Sequence, residues 1–267
     1  MKKLYFYFWV SPDFEENIAV RVHEICLKRY LDKFDELNFI VAVDDYPNIG
    51  GDEMRAVRWL NGICGDRPYN MRLTDNIKIR ESRVILEDLV PMIIKRDTDS
   101  IFLAHSKAIT DVHMTTRNKY SVLRWVISLY YYSLEYEEEA MEKLNSAAMF
   151  GSLLTHWNHR NDANIKTHDC FYMGNFYWVN PSNIAAINRS DFERLKVSRF
   201  LHENFPFLIK RELLTSHNNI CEENYIADMY QMRKDEWPRY LDYYGDSDML
   251  FKIQNEIIAE VCGTEGY

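Results

Sequence analysis

The feature that most constrains the fold is a set of short apolar runs, each separated from the next by a segment with helical spacing. The runs near residues 3–10, 38–43 and 100–104 are apolar almost throughout, whereas a half-exposed strand alternates apolar and polar residues. Residues 14–33, between the first two runs, have the spacing of an amphipathic helix. Buried strands that alternate with helices are typical of a mainly parallel sheet covered on both faces. We therefore predict an α/β fold built as a single three-layer α/β/α domain.

The second half of the chain departs from this strict alternation. A chain of 267 residues is long enough for one domain with a substantial core. We predict a main α/β domain over residues 1–205 and a C-terminal helical extension over residues 206–267 that packs on it. The predicted elements after the first half are a long helix at 118–145, strands at 147–150 and 171–179, and helices near 182–203, 222–234 and 247–261.

Composition excludes several classes of protein. The net charge is −9, from 32 basic and 41 acidic residues, which argues against nucleic acid as a partner because nucleic acid requires a basic surface. The five cysteines are scattered, odd in number and without a CxxC pair, which favours a reducing compartment. No apolar run is long enough to span a bilayer, and the apolar N-terminus is too short and too aromatic for a signal peptide. These features predict a cytoplasmic protein with no transmembrane segment.

A compact polar triplet, His105-Ser106-Lys107, follows the apolar run at 100–104. In open α/β sheets, ligands bind outside the carboxyl ends of the strands. His105 and Lys107 are two residues apart, so both point to the same side of an extended segment. Cationic groups at this position suit an anion such as a diphosphate, and the alternative is a strand that ends at a solvated His and Lys.

Two further polar steps follow predicted strands. Asp44 and Asp45 end the second strand, where carboxylates could accept hydrogen bonds from a uracil or from ribose hydroxyls, or could belong to a solvated loop. Asn76 precedes Arg80 and Glu81 at the start of a helix, where the helix amides and a guanidinium would suit a pyrophosphate oxygen. The alternative for the second step is a surface ion pair on the first turn of the helix.

Gly174 and Asn175 interrupt the aromatic run Phe171–Val179. Glycine weakens a strand unless another group approaches its backbone closely. We therefore predict that another group approaches this position closely.

Together, His105-Ser106-Lys107 and the Gly174-Asn175-Phe176 segment resemble a group of small glycosyltransferases of the GT-A type, in which an H-[ST]-K-G step is followed later by a G-N-F-W-W-like strand. These enzymes take part in bacterial surface-polysaccharide assembly and in glycan synthesis by large viruses. The resemblance covers roughly residues 70–185 and includes the step at Asn76, Arg80 and Glu81. This chain departs from the pattern at Ala108, where the group usually has glycine, the residue that best permits a close backbone approach to phosphate.

The resemblance implies transfer of a hexosyl or deoxyhexosyl group from a UDP-, GDP- or dTDP-linked donor to a glycan hydroxyl. It implies that Gly174 and Asn175 floor the sugar pocket, and that Lys107 stabilises the leaving group where related enzymes use a metal held by an Asp-x-Asp pair. Glu223 or Asp169 is the candidate base for the acceptor hydroxyl. No metal is then required, although a divalent cation such as Mn²⁺ or Mg²⁺ stays possible.

Two alternative metal sites and two alternative functions stay open. Asp97 and Asp99 form a literal Asp-x-Asp pair, but they precede a strand, where Asp is common in turns. A cluster of His156, His159 and His168 beside Asp169 would favour a metal-dependent hydrolase, although its spacing is not that of a helical zinc site. A catalytically degenerate sugar-binding module is the alternative that is not an enzyme.

Overall fold

The computed structural model describes residues 1–44, 50–76, 81–106, 109, 116–152, 154–156, 170–184, 187, 192–193, 196, 201, 205–217 and 247–263. The α-helices are α1 (Ile18–Tyr30), α2 (Gly50–Cys64), α3 (Val90–Lys95), α4 (Thr116–Tyr130), α5 (Glu137–Lys143) and α6 (Ser247–Cys262). The strands are β1 (Lys2–Trp9), β2 (Glu36–Val43), β3 (Asn70–Asp75), β4 (Ser100–His105), β5 (Met149–Gly151), β6 (Leu154–His156), β7 (Cys170–Tyr172), β8 (Tyr177–Val179) and β9 (Leu214–Thr215).

Seven strands form one mixed sheet in the order β3-β2-β1-β4-β8-β5-β9. The first four are parallel to one another, whereas β8 runs antiparallel to both β4 and β5. Strand β9 pairs in parallel with β5, and β6 and β7 form a separate two-stranded sheet. The predicted α/β class and the mainly parallel sheet are therefore confirmed.

The sheet has an apolar core on each face. Along β1, Leu4, Phe6 and Phe8 point to one face, while Tyr5 and Tyr7 point to the other, as the period of a strand requires. The first face packs against helices α1, α2, α4 and α6. The second face packs against a π-helical segment, Val84–Leu89, and against the 3-10 turn Phe205–Leu208. This arrangement is compatible with the predicted three-layer fold.

The single strand predicted over residues 171–179 is wrong. The chain forms β7 and β8 instead, with a 3-10 turn at Met173–Asn175 between them. Gly174 has φ 72° and Asn175 has φ 60°, and both values lie in the left-handed region, which a β-strand does not use. The aromatic run therefore belongs to two different sheets.

The long helix predicted over residues 118–145 is present but interrupted. After α4, a π-helical turn covers Tyr131–Glu135, and α5 begins only after Tyr136. Inside that turn the Ser133 carbonyl accepts a hydrogen bond of 2.8 Å from Trp178 Nε1, and Ser133 Oγ donates to the Phe176 carbonyl at 3.2 Å. Because the turn meets β8 through these bonds, the helical spacing of the sequence could not reveal it.

Residues after 205 contribute to the main sheet and to its core. Strand β9 is one edge of the seven-stranded sheet. Helix α6 agrees with the helix predicted at 247–261, and it buries Leu250, Ile253, Ile257, Ile258 and Val261 in the core of the first face. The helix predicted from 182 begins instead as a 3-10 turn at Pro181–Asn183 followed by extended Ile184, and the predicted helix at 222–234 lies outside the described residues.

Within the described ranges, no helix is both long enough and apolar enough to cross a membrane.

Candidate functional site

The carboxyl ends of the four parallel strands lie along one edge of the sheet and are held in register by backbone hydrogen bonds. Val10 N donates to the Ala42 carbonyl at 3.0 Å, and Ser106 N donates to the Tyr7 carbonyl at 2.8 Å. The strand order changes direction between β1 and β4, because β2 and β3 lie on one side of β1 and β4 lies on the other. This position is a topological switch point, where ligands of open α/β sheets bind.

Asp44 is held in place at this edge by two hydrogen bonds to the same oxygen. Its Oδ1 accepts from Trp9 Nε1 at 3.0 Å and from Asn76 Nδ2 at 2.9 Å. Asp44 is exposed, and both donors come from the ends of neighbouring segments, β1 and β3. The carboxylate therefore has a fixed orientation, and its second oxygen accepts no hydrogen bond from another described residue.

His105 and Ser106 connect this carboxylate to the other side of the switch point. Ser106 Oγ accepts from Trp9 N at 3.3 Å, so β1 and the end of β4 are joined by a side chain as well as by backbone. His105 Nε2 lies 3.1 Å from the Gly174 carbonyl oxygen, and its Nδ1 lies 3.9 Å from Glu81 Oε1. The reversed direction of β8 places its first residues, and the turn before them, at the carboxyl end of β4.

Gly174 is needed at its position for two reasons. Its φ of 72° is unfavourable for any residue with a Cβ, and a Cβ would lie 2.9 Å from Leu129 Cδ2 and closer still to Leu129 Cδ1. The close approach predicted from the sequence exists, but among the described residues the group that approaches is a core leucine from α4. Asn175 is buried, and its side-chain amide forms no hydrogen bond with another described residue.

We define the carboxyl-edge cluster as the seven residues that these contacts join at one edge of the sheet, together with Asn175, which follows Gly174 in the chain: Trp9, Asp44, Asn76, Glu81, His105, Ser106, Gly174 and Asn175. Six of the predicted donor-binding residues belong to it: Asp44, Asn76, His105, Ser106, Gly174 and Asn175. The other predicted residues, Asp45, Arg80, Lys107, Asp169 and Glu223, lie outside the described residues, as do Ala108, His159 and His168.

The alternative metal pair lies at the opposite edge of the sheet. Asp99 precedes β4, and its carboxylate forms ion pairs with the N-terminal amine of Met1 at 3.1 Å and with Lys3 Nζ at 2.8 Å. Asp97 Oδ1 accepts a hydrogen bond from Asp99 N at 3.0 Å, which is a turn contact. This pair of carboxylates does not fit a divalent-cation site, because the ammonium groups of Met1 and Lys3 already neutralise Asp99.

These ion pairs shift the pKa values of both partners. The hydrogen bond from Lys3 lowers the pKa of Asp99 below its ordinary value, against a smaller opposing effect of burial. Burial acts to lower the pKa of Lys3, but its hydrogen bond to Asp99 and the neighbouring carboxylates together raise it. Both shifts favour the charged pair.

No protein-family model matches the chain, and no curated protein is significantly similar to it. In the part of the chain that the structure describes, no three His, Cys, Asp or Glu side chains are grouped so that they could hold a metal ion.

A cavity of about 240 Å³ lies between α1 and α2, on the side of Phe14 and Trp59. Arg55, which lines this cavity, forms ion pairs with Glu15 and Asp52.

Sequence reasoning missed Trp9 and Ser11 in this region. Trp9 is the last residue of β1, and its indole N–H orients Asp44. Ser11 is 1% exposed, and its hydroxyl has no hydrogen-bond partner among the described residues. The signal was available, because both residues lie where the first apolar run meets Pro12 and Asp13, at the same edge as Asp44 and His105.

Proposed function

We propose that the protein is a glycosyltransferase of the GT-A type, which moves a sugar from a nucleoside-diphosphate donor to an acceptor hydroxyl. The observation that carries this proposal is the carboxyl-edge cluster, which combines a fixed carboxylate, a histidine, a serine and a buried amide at the switch point of the sheet. The motif resemblance at His105-Ser106-Lys107 and Gly174-Asn175 supports a diphosphate-linked sugar as the ligand.

In this proposal the acceptor oxygen attacks the anomeric carbon while the bond from that carbon to the diphosphate oxygen breaks. The proton of the acceptor hydroxyl passes to a carboxylate, for which Glu223 and Asp169 stay the candidates from sequence. The leaving diphosphate gains negative charge, which the ammonium of Lys107 stabilises without a metal. Asp44 accepts a hydrogen bond from the nucleoside, and Asn175 contacts a hydroxyl of the sugar.

A ligand screen tests the proposal directly. The melting temperature is measured with UDP-, GDP- and dTDP-linked sugars, each with and without Mn²⁺, and the best ligand is then incubated without acceptor. We expect an increase in melting temperature and slow release of nucleoside diphosphate. Stabilisation without any release indicates a sugar-binding module, and release of nucleoside monophosphate indicates a hydrolase. If no nucleotide sugar stabilises the protein, the proposal is wrong.

The role of Asp44 gives the first prediction. Asp44→Asn keeps an oxygen for Trp9 and Asn76 but replaces the second carboxylate oxygen with an amide donor. A hydrogen bond to a charged group contributes about 1.5–3 kcal/mol, so the dissociation constant of the nucleotide sugar should rise roughly 10- to 100-fold. Asp35→Asn is the matched control, because Asp35 accepts a hydrogen bond from Lys2 N and precedes β2 at the opposite edge. Equal affinities for the two variants would exclude Asp44 from the site.

The role of Lys107 gives the second prediction, which rests on the sequence alone. Lys107→Ala should reduce donor turnover by about 100- to 1000-fold, the usual effect of losing one group that stabilises developing charge, and turnover by the unchanged protein should survive EDTA. Lys107→Arg should restore part of the activity, since a planar fork does not reproduce a point charge. A catalytic metal at Asp97 and Asp99 gives the reverse pattern, with complete loss in EDTA and in Asp99→Ala.

A further inference from the structure

His105 has both ring nitrogens directed at protein groups. Its Nε2 lies 3.1 Å from the Gly174 carbonyl oxygen, and its Nδ1 lies 3.9 Å from Glu81 Oε1. The Phe176 ring is also close, with 6.1 Å between the ring centroids. The side chain is almost fully buried, with 11% of its surface exposed.

The contact with Gly174 fixes the position of one hydrogen atom. A carbonyl oxygen only accepts hydrogen bonds, so the hydrogen between the two groups belongs to Nε2. Nε2 carries a hydrogen in the charged imidazole and in one of the two neutral tautomers, and the Gly174 contact selects that tautomer. The remaining nitrogen, Nδ1, is then the one on the side of Glu81.

The carbonyl that His105 binds belongs to an unusual turn. Gly174 and Asn175 are consecutive residues with positive φ, 72° and 60°. A non-glycine residue in the left-handed region persists only where its surroundings hold it there. His105 supplies one such contact from β4, and the Leu129 side chain closes the space beside Gly174. The turn therefore holds Asn175 at the carboxyl edge in one backbone conformation.

We propose that His105 is a positioning residue for Asn175 and not a ligand of the diphosphate. The Nε2–H···O=C bond fixes the left-handed turn, and the turn presents the buried Asn175 amide to a sugar hydroxyl of the bound donor. The role of Asn175 rests on the proposed glycosyltransferase function, whereas the bond from His105 and its effect on the turn do not.

The bond and the turn can be tested without any ligand. Nitrogen-15 NMR of the imidazole should show the hydrogen on Nε2, protected from exchange, and backbone chemical shifts should report a left-handed Asn175. His105→Gln keeps an N–H donor near the position of Nε2, so Asn175 should stay left-handed. His105→Leu keeps volume but has no donor, so the Asn175 shifts should change. A neutral imidazole with its hydrogen on Nδ1 would overturn the proposal.

The link to the ligand is tested with the nucleotide sugar that most stabilises the unchanged protein. His105→Leu should bind it about 10-fold more weakly, whereas His105→Gln should stay within about threefold of the unchanged protein. His23→Leu is the matched control, because His23 is also buried and hydrogen-bonded, to Tyr130 Oη at 2.8 Å, but lies on α1. It should lower the melting temperature without changing the dissociation constant.

A double-mutant cycle separates a positioning role from a direct one. Asn175→Gly removes the amide and tolerates positive φ. If His105 acts through Asn175, the variant with both Asn175→Gly and His105→Leu should bind the nucleotide sugar with about the same dissociation constant as the single variant that binds it less tightly. Additive losses, or equal losses in His105→Gln and His105→Leu, mean that His105 contacts the ligand itself. If no nucleotide sugar binds, the proposed function fails, while the NMR measurements still decide the bond from His105 to Gly174.

Discussion

Gly174 is the residue whose replacement the structure constrains most strongly. Gly174→Ala adds a methyl group against Leu129 and also requires a left-handed alanine. Overpacking and the unfavourable φ should together lower the free energy of unfolding by roughly 2–4 kcal/mol, measured by denaturant titration. Gly65→Ala is the control, because Gly65 has φ 58° but no atom within 4 Å of an added Cβ. It should cost only about 1 kcal/mol, and an equal cost at both positions would show that the contact with Leu129 is unimportant.

For single residues, the sequence predicts at which edge of the sheet the polar side chains lie, but not which groups they contact. Asp44, Asn76 and His105 could be placed at one edge because each ends or follows a predicted strand, and parallel strands share their carboxyl edge. The contact between Gly174 and Leu129 joins residues far apart in sequence, so no local pattern announces it. The sequence correctly predicted that another group lies close to Gly174. The family resemblance implied a sugar at this position, whereas among the described residues the close group is the Leu129 side chain. Gly174→Val should therefore destabilise the fold, in contrast to a substitution that affects only a ligand pocket.

Helix α6 is attached to α4 by a buried polar network as well as by apolar contacts. Arg124 donates to Gln254 Oε1 at 3.2 Å and to Asn255 Oδ1 at 2.8 Å. In return, Gln254 Nε2 donates to the Arg124 carbonyl at 3.0 Å and to Ser128 Oγ at 2.9 Å. Both Arg124 and Gln254 are almost fully buried. The network thus fixes the rotation of α6 about its own axis, because only one face of α6 can meet Arg124.

The network gives a prediction for the stability of α6. Gln254→Leu leaves the buried Arg124 guanidinium and the Ser128 hydroxyl with fewer partners, and should lower the free energy of unfolding by about 1–3 kcal/mol. Glu256→Ala, on the exposed side of the same helix, should change it by less than about 0.5 kcal/mol. Denaturant titration of the two variants under one condition is the measurement. A loss at Glu256 as large as that at Gln254 would contradict the buried network.

The elements that the sequence predicts poorly are those shaped by partners from elsewhere in the chain. Strand β9 has two residues, too few for any periodic pattern, and it exists because β5 offers an edge. The break between β7 and β8 follows from a left-handed pair inside an aromatic run. In contrast, β1, β2, β4 and α6 carry enough apolar residues for their own pattern to locate them within a few residues.

For the whole molecule, the ion pair between Asp99 and Lys3 predicts a dependence of stability on pH. The pKa of Asp99 is lowered in the folded protein, chiefly by the hydrogen bond from Lys3, so the unfolded chain binds its proton more tightly. The contribution of Asp99 to stability is therefore complete above its unfolded pKa and is lost as the pH falls through the folded pKa. We expect the free energy of unfolding to decrease below about pH 4. Asp99→Asn should flatten this decrease, measured by denaturant titration between about pH 3 and pH 6.

A second variant checks the cause of that dependence. Lys3→Met removes the main partner of Asp99 and leaves the N-terminal amine, so it should also flatten the decrease, though less completely than Asp99→Asn. The raised pKa of Lys3 predicts the opposite trend in base, where stability is lost as the pH rises through the folded pKa. An unchanged acid slope in both variants would show that other carboxylates, such as Glu15 and Glu139 with their lowered pKa values, dominate.

The reversed strand β8 also sets an order of events during synthesis of the chain. Strands β1 to β4 pair among themselves and are complete once residue 105 has emerged from the ribosome. The bond between His105 and Gly174 spans 69 residues, which at about 5–20 residues per second corresponds to a delay of roughly 3–14 s. During that interval the edge of β4 has no partner strand, so the nascent chain exposes an apolar strand edge to its surroundings. Strand β8 and the turn before it thus complete the carboxyl-edge cluster and cover this edge at the same time.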